Sequence, residues 1–243
     1  MTAATLVRAT LELTLPQLRS AALEMWAAPG LRERYPAYLY AMHGLIRASV
    51  PLMRDAVERC AALPPGDPCA EPLAAYLAVH LAEEQDHDAW LLEDLAALGR
   101  PPEAVLGRAP AAEVAALAGA QYYWLRHYHP ACLLGYIAVL EGCPPDPGVV
   151  ARLPALTGLP APAFRTLALH AELDPGHREG LDRFLAELPL PDRVAAAVAR
   201  SAAFTADRAA ALLRGLARAD HPDQPDDPAR PDRPPRSPDP SLD

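Results

Sequence analysis

Lysine and asparagine are both absent from this chain of 243 residues, and each absence excludes particular chemistry. Without lysine, the protein cannot form a lysine Schiff base, attach pyridoxal phosphate or build a Walker A phosphate loop. Without asparagine, it has neither a papain-like Cys-His-Asn triad nor an acceptor for N-glycosylation. Several large enzyme classes are therefore excluded before any motif is considered.

Positive charge is scarce, and long apolar runs are missing. The 22 basic residues are all arginine and stand against 31 acidic residues, which gives a net charge of −9. An acidic chain without a basic tract is a poor match for nucleic acid or anionic lipid. No apolar run approaches the ~18 residues of a membrane span, and the N-terminus lacks the pattern of a signal peptide. We expect a cytoplasmic protein that binds neither nucleic acid nor a membrane.

Cysteine is also rare, and the four cysteines lack the spacing of a redox or zinc motif. They are Cys60, Cys69, Cys132 and Cys143, and no two of them form a CxxC pair. A chain of this length buries enough apolar surface to fold without disulfides. We expect all four to be reduced thiols.

Alanine and leucine dominate the rest of the chain, and β-branched runs are missing, so the sequence predicts an all-α fold. The periodicity predicts one domain at residues 1–220 with helices at 3–27, 32–62, 70–98, 111–126, 129–142, 162–188 and 192–218. Pro16 marks a potential break in the first helix, whereas Pro51 and Pro175 predict kinks. Gly99 is placed to end a helix. Residues 221–243 are rich in Pro, Asp and Arg and predict a disordered tail.

The predicted helix at 70–98 carries ionisable residues in the middle of its apolar stripe. His80, Glu84 and His87 follow one another at steps of four and three residues, which places them on one face of a continuous helix. An unpaired buried carboxylate is costly, so this pattern requires a compensating charge. The competing interpretation is a rotated helix with Glu84 and His87 as an exposed pair.

The same pattern occurs again in the predicted helix at 162–188. His170, Asp174 and His177 have identical spacing and also interrupt an apolar stripe. A third helix brings Glu141 directly after the apolar run YIAVL, where it is expected to point inward. Two matching triplets are much harder to attribute to chance than one, so we favour a metal site over exposed pairs.

Three carboxylates and three imidazoles projecting into a helical bundle predict a dinuclear metal site. The carboxylates are Glu84, Glu141 and Asp174, the imidazoles are His87, His170 and His177, and His80 is held in reserve. Oxygen and nitrogen donors without thiolate favour iron or manganese over structural zinc. Two ferrous ions and three carboxylates leave a residual positive charge, and six ligands leave open coordination positions for oxygen chemistry.

The segments HLAEEQDHDAWLLEDLAALG, HPACLLGYIAVLEG and LHAELDPGH resemble the haem-oxygenase-like diiron oxidases and oxygenases, the iron-containing redox enzymes. The resemblance extends from about Leu31 to Leu188, and HxxxDxxH is its most specific element. It implies a haem-oxygenase-like seven-helix bundle, a homodimer, and two irons that cycle between Fe(II) and Fe(III). Manganese in one position stays open. No haem is implied, because no histidine precedes His43 to serve as the proximal ligand.

The resemblance also implies a ligand set, residue by residue. His170, Asp174 and His177 match the C-terminal motif, Glu141 matches the lone glutamate, and His87 matches the earlier histidine. Some members place the remaining carboxylate three residues before that histidine, which is Glu84 here. Others place a glutamate seven residues before it, where this chain has His80, so His80 stays open as a ligand or a supporting residue.

The implied activity is O2-dependent oxidation of a small organic substrate, resembling an amino acid or a fatty acid, by N-oxygenation, desaturation or C–C cleavage in bacterial natural-product biosynthesis. Two alternatives stay open: a metal-free thiaminase-type hydrolase of the same fold, and a non-catalytic helical metal-binding protein. On the substrate side, His43 and Arg47 lie one helical turn apart. Arginine suits a substrate carboxylate, although pairing with an acidic neighbour is the commoner role.

Overall fold

The computed structural model describes residues 3–218, and the predicted tail at 221–243 lies outside them. Within 3–218 the chain forms helices and no strand, so the all-α prediction is confirmed. The helices are α1 (Ala3–Ala27), α2 (Leu31–Ala61), α3 (Ala70–Glu83), α4 (His87–Ala97), α5 (Pro102–Leu106), α6 (Ala112–His127), α7 (Leu133–Leu140), α8 (Pro147–Val150), α9 (Leu153–Thr157), α10 (Arg165–Glu187) and α11 (Asp192–Arg218). Short 3₁₀ turns precede α7 and α10. None of these helices has the length and apolar character needed to cross a membrane.

The prediction of one helix at 70–98 is wrong, because a turn separates α3 from α4. Glu84 directly follows the last residue of α3, and Asp86 adopts a left-handed conformation with φ of 67°. Aspartate tolerates this conformation better than most residues, because its short side chain can form hydrogen bonds to the nearby backbone. His80, Glu84 and His87 therefore do not lie on one straight helix face. By contrast, α1 continues through Pro16, and α10 continues through Pro175.

The end of α4 confirms the role predicted for Gly99. This glycine has φ of 75°, and its N–H donates to the carbonyl of Ala96 at 2.9 Å. The N–H of Arg100 donates to the carbonyl of Leu95 at 3.0 Å. This pair of bonds is a Schellman motif, which satisfies carbonyls that the end of a helix leaves free.

Helix α7 lies inside the bundle, and its position controls where Glu141 lies. Helix α1 packs along α11, α2 packs against α3, α4 and α6, and α7 packs against α11. The backbones of α7 and α11 approach closely at Gly135, where a Cβ atom would lie 2.3 Å from the carbonyl oxygen of Val198. Only glycine permits this approach. Glu141 directly follows the last residue of α7 and is thereby held in the interior.

Candidate metal centre

Four parts of the chain converge inside the bundle: the end of α3 with its turn, the start of α4, the end of α7, and the middle of α10. The closest contact joins α3 to the end of α7, where Nε2 of His80 lies 2.7 Å from Oε1 of Glu141. Burial alone would lower the pKa of His80, but the hydrogen bond and charge of Glu141 outweigh it, so the pKa is raised. Three overlapping groups of these side chains are compact enough to hold a metal ion.

One of these groups consists of Glu84, His87 and His170, whose ligand atoms all lie within 4.8 Å of one another. Nδ1 of His87 lies 3.1 Å from Oε2 of Glu84. Burial tends to raise the pKa of Glu84, but the hydrogen bond and charge of His87 lower it. Nδ1 of His170 donates to the carbonyl of Thr166 at 2.9 Å, so its Nε2 is the nitrogen available to a metal. Burial lowers the pKa of His170, which favours the neutral, metal-binding form.

His177 connects this group to Glu141. Its Nδ1 lies 3.7 Å from Oε1 of Glu84 and 3.9 Å from Oε1 of Glu141. Within residues 3–218, Nδ1 of His177 and Oε2 of Glu141 are buried without a hydrogen-bond partner. Buried polar atoms without partners are costly and uncommon. A divalent cation between them would satisfy both, so these residues fit a metal.

Asp174 is buried beside the same carboxylates. Its exposed fraction is 6%, and burial together with the charges of Glu141 and Glu84 raises its pKa to about 8. A cation would reverse this effect by favouring the carboxylate form. Asp174 belongs to none of the three compact groups. Within residues 3–218 no direct contact joins Asp174 to another predicted ligand, so its role as a ligand stays a prediction.

Aromatic rings fix the orientation of two of the imidazoles. Trp90 stacks on His87 with ring centroids 4.0 Å apart and planes inclined by 28°. Tyr76 stacks on His80 at 5.9 Å and on Phe184 at 4.1 Å. Because packed rings restrict rotation, these imidazoles are held in place before any ligand binds.

Glu83 contacts two of the histidines of the site, and sequence analysis missed these contacts. It lies off the apolar stripe and is exposed, yet its Oε2 is 3.4 Å from Nδ1 of His80 and 3.8 Å from Nε2 of His177. Glu83 lies within α3, three residues after His80, so the i,i+3 spacing of a helix is the signal that could have found this contact. Glu83 gives His80 a second carboxylate partner.

A cavity of about 600 Å³ opens onto the centre. Its walls are mostly apolar, and His80, Glu84, His170 and Asp174 lie at its polar end. This volume is in the range of sites for small organic ligands. An apolar chamber beside a polar cluster is suited to holding an organic molecule next to a metal and keeping water away.

The predicted substrate residues His43 and Arg47 do not border this cavity. Arg47 is exposed, and His43 is buried with a pKa that burial lowers. The same helix contributes Met42 and Ile46 to the cavity wall instead. The arginine residues that do border the cavity are Arg19 and Arg178, which sequence analysis did not select.

The comparisons with known proteins agree with this geometry. The model of a family described as iron-containing redox enzymes matches residues 59–212. Among curated proteins, none matches the sequence significantly. A domain of unknown function with a heme oxygenase-like fold from Shewanella denitrificans OS217 is similar in structure, with a TM-score of 0.66 and 18% identity over 88% of each chain. A TenA homolog from Pseudomonas syringae pv. tomato DC3000 has a TM-score of 0.63 and 13% identity, covering 86% of this chain and 92% of that one. The predicted haem-oxygenase-like fold is confirmed.

Proposed function

The chain belongs to the family of iron-containing redox enzymes, and from this premise we propose that it is a non-haem diiron oxidase or oxygenase that uses O2 to oxidise a small organic substrate. The observation that carries the proposal is the convergence of carboxylates and imidazoles from four helical segments at the polar end of an apolar cavity. The predicted homodimer and the role in natural-product biosynthesis stay predictions.

We assign the six predicted ligands to two positions. Glu84, His87 and His170 would hold one iron, because they form a compact group. Glu141, Asp174 and His177 would hold the other, which would supply partners for the orphaned atoms of Glu141 and His177. His80 is left out of both positions, because each of its ring nitrogens already faces a carboxylate. Manganese in one position is compatible with the same oxygen and nitrogen donors.

When bound, the two ferrous ions would supply electrons to O2 and thereby activate it for oxidising the substrate. The chain's own contribution is positional. The Thr166 carbonyl fixes the ring of His170 by accepting its Nδ1–H, and the apolar wall at Met42 and Ile46 holds the substrate body and excludes water. In the metal-free protein Asp174 retains a proton at neutral pH, which it must release when it becomes a ligand.

A metal-free hydrolase would need an activated thiolate, and the cysteines do not favour one. Cys132 is fully buried, and burial raises its pKa to about 12. Catalytic cysteines require a shift in the opposite direction. Cys143 borders the cavity but makes no hydrogen bond or ion pair within residues 3–218. The Cys143→Ser variant therefore separates the two functions.

The test is an anaerobic Fe(II) titration of the full chain, followed by exposure to O2 with a panel of small organic acids and amines. We expect two irons per chain and substrate-dependent O2 consumption. His87→Ala and His170→Ala should abolish O2 consumption, whereas Cys143→Ser and the exposed control His127→Ala should retain it. Iron uptake without O2 consumption would indicate a metal-binding protein, and substrate turnover that requires Cys143 but neither iron nor O2 would indicate a hydrolase.

A further inference from the structure

A second, polar pocket of about 290 Å³ adjoins the apolar cavity. It lies between one face of α1, which carries Arg8 and Arg19, and one face of α10, which carries Arg178, and the end of α7 also lines it. Three residues border both spaces: Arg19, Glu141 and Arg178. The pocket and the cavity therefore meet at a rim that consists of two guanidinium groups and one predicted iron ligand.

The arginines of this pocket are exposed to solvent and have no partner among residues 3–218. Within residues 3–218, the side chains of Arg8, Arg19 and Arg178 make neither an ion pair nor a hydrogen bond, whereas Arg126 pairs with Asp55. An unpaired guanidinium presents five N–H donors in a planar fork that matches the oxygens of a carboxylate or a phosphate.

Two other carboxylates, Glu12 and Asp182, line the polar pocket, but neither pairs with an arginine there and neither borders the cavity. The only acidic residue at the shared rim is Glu141, which already accepts a hydrogen bond from His80. At the rim itself, Arg19 and Arg178 are thus the groups available to a ligand that extends out of the cavity.

We propose that Arg19 and Arg178 bind the anionic headgroup of an amphiphilic ligand whose apolar body occupies the cavity beside the candidate metal centre. Two features on opposite sides of the rim favour a ligand of this kind. The apolar wall can bury a hydrocarbon chain, and the unpaired guanidinium groups can donate hydrogen bonds to a carboxylate or phosphate. The headgroup is bound by arginine and not by the metal. Only the identification of this ligand as the substrate rests on the proposed function; its binding does not require iron.

The test uses the metal-free, full-length protein and three probes with the same eight-carbon chain: octanoate, octyl phosphate and 1-octanol. Calorimetric titration should show that an anionic probe binds more tightly than the alcohol. The double variant Arg19→Gln/Arg178→Gln should lose at least tenfold in affinity for the anion and keep its affinity for 1-octanol. The matched control Arg183→Gln, on the same helix but outside both spaces, should bind all three probes as the wild type does.

A variant of the apolar wall tests the other half of the proposal. Ile46→Trp fills the cavity and should weaken all three probes alike, with circular dichroism confirming that the variant is folded. Tighter binding of octanoate or of octyl phosphate identifies the headgroup. The proposal is overturned if no anion is preferred, or if the double variant binds the anions as tightly as the wild type does.

The two proposals can fail separately. Arginine-dependent binding of the anion without iron-dependent O2 consumption would retain the ligand site and reject the oxidase. If the protein consumes O2 with two irons bound but binds the anion independently of Arg19 and Arg178, the oxidase proposal stands and the ligand site is rejected.

Discussion

Nε2 of His80 donates to Oε1 of Glu141 across 2.7 Å, and thereby joins α3 to the end of α7. The other ring nitrogen lies 3.4 Å from Oε2 of Glu83. Burial opposes a charged ring, but Glu141, Glu84 and Glu83 together raise the pKa of His80. Because both ring nitrogens of His80 face carboxylate oxygens, this residue is better suited to orienting Glu141 than to binding iron.

Replacing His80 with alanine should therefore weaken one iron position without eliminating it. We expect on the order of a tenfold loss of iron affinity at one position, because removing a residue that orients a metal ligand typically weakens metal binding by about that factor. His177→Ala should instead reduce the stoichiometry from two irons to one. An anaerobic Fe(II) titration with metal analysis measures both variants. A single bound iron in His80→Ala would identify His80 as a ligand and contradict the assignment.

The buried carboxyl group of Asp174 should make the metal-free protein less stable as pH rises. Its pKa is raised to about 8 in the folded state, so between about pH 4 and pH 8 the folded state holds a proton that the unfolded chain releases. The free energy of unfolding should fall by a few kcal/mol across this window and level off above it. Urea unfolding at pH 5.5 and pH 8 measures the difference.

Asp174→Asn provides the control for this effect. The amide does not ionise, so the variant should lose most of the pH dependence and should be more stable than the metal-free wild type at pH 8. It should also bind less iron, because a ligand has been removed. The same pH dependence of stability in the wild type and in Asp174→Asn would contradict the raised pKa of Asp174.

Sequence periodicity predicted the second triplet but not the geometry of the first. Helix α10 is continuous, so the spacing of His170 and His177 carries over directly into space. The turn at Asp86 breaks the first pattern, and apolar spacing contains no signal for one residue with positive φ. The contact between His80 and Glu141 spans two helices that are remote in sequence, so no local pattern encodes it.

The two arginines that border the cavity could not be predicted from the sequence for a related reason. Arg19 and Arg178 border one space only because α1 and α10 lie side by side there. Arg47, which the sequence offered as a substrate residue, lies on an exposed face of α2. Periodicity indicates which face of a helix is apolar, but it does not indicate which other helix that face meets.

Close packing at Gly135 should make α7 intolerant of even a methyl group. In Gly135→Ala the new Cβ would lie 2.3 Å from the Val198 carbonyl oxygen and 2.7 Å from the Ala202 nitrogen, both backbone atoms. We expect a loss of about 1–3 kcal/mol in the free energy of unfolding, together with weaker iron binding because Glu141 moves with α7. Gly119→Ala is the matched control, since a Cβ there meets nothing within 4 Å and alanine favours the helix of α6. Equal stability of the two variants would contradict this account.

Asp94 couples the two helices that carry His87 and His170. It is fully buried on α4, and its Oδ2 accepts the backbone N–H of Thr166 at 3.1 Å. That N–H belongs to the first turn of α10 and has no partner within its own helix. The carbonyl of Thr166 in turn accepts Nδ1–H of His170 at 2.9 Å. The start of α10 and the ring of His170 are thus fixed by one carboxylate on the neighbouring helix.

Asp94→Ala should therefore lower both stability and iron affinity. The buried N–H of Thr166 loses its acceptor, which costs about 1–3 kcal/mol in the free energy of unfolding, and His170 becomes less well oriented. Asp94→Asn retains an acceptor oxygen and should retain iron binding. Burial raises the pKa of Asp94 to about 6, so this carboxyl group reduces stability as pH rises from about 4 to 6, and that contribution should vanish in Asp94→Asn. Urea unfolding at pH 5 and pH 7 with parallel Fe(II) titrations tests both effects; iron affinity in Asp94→Ala equal to that of the wild type would show that Asp94 does not orient His170.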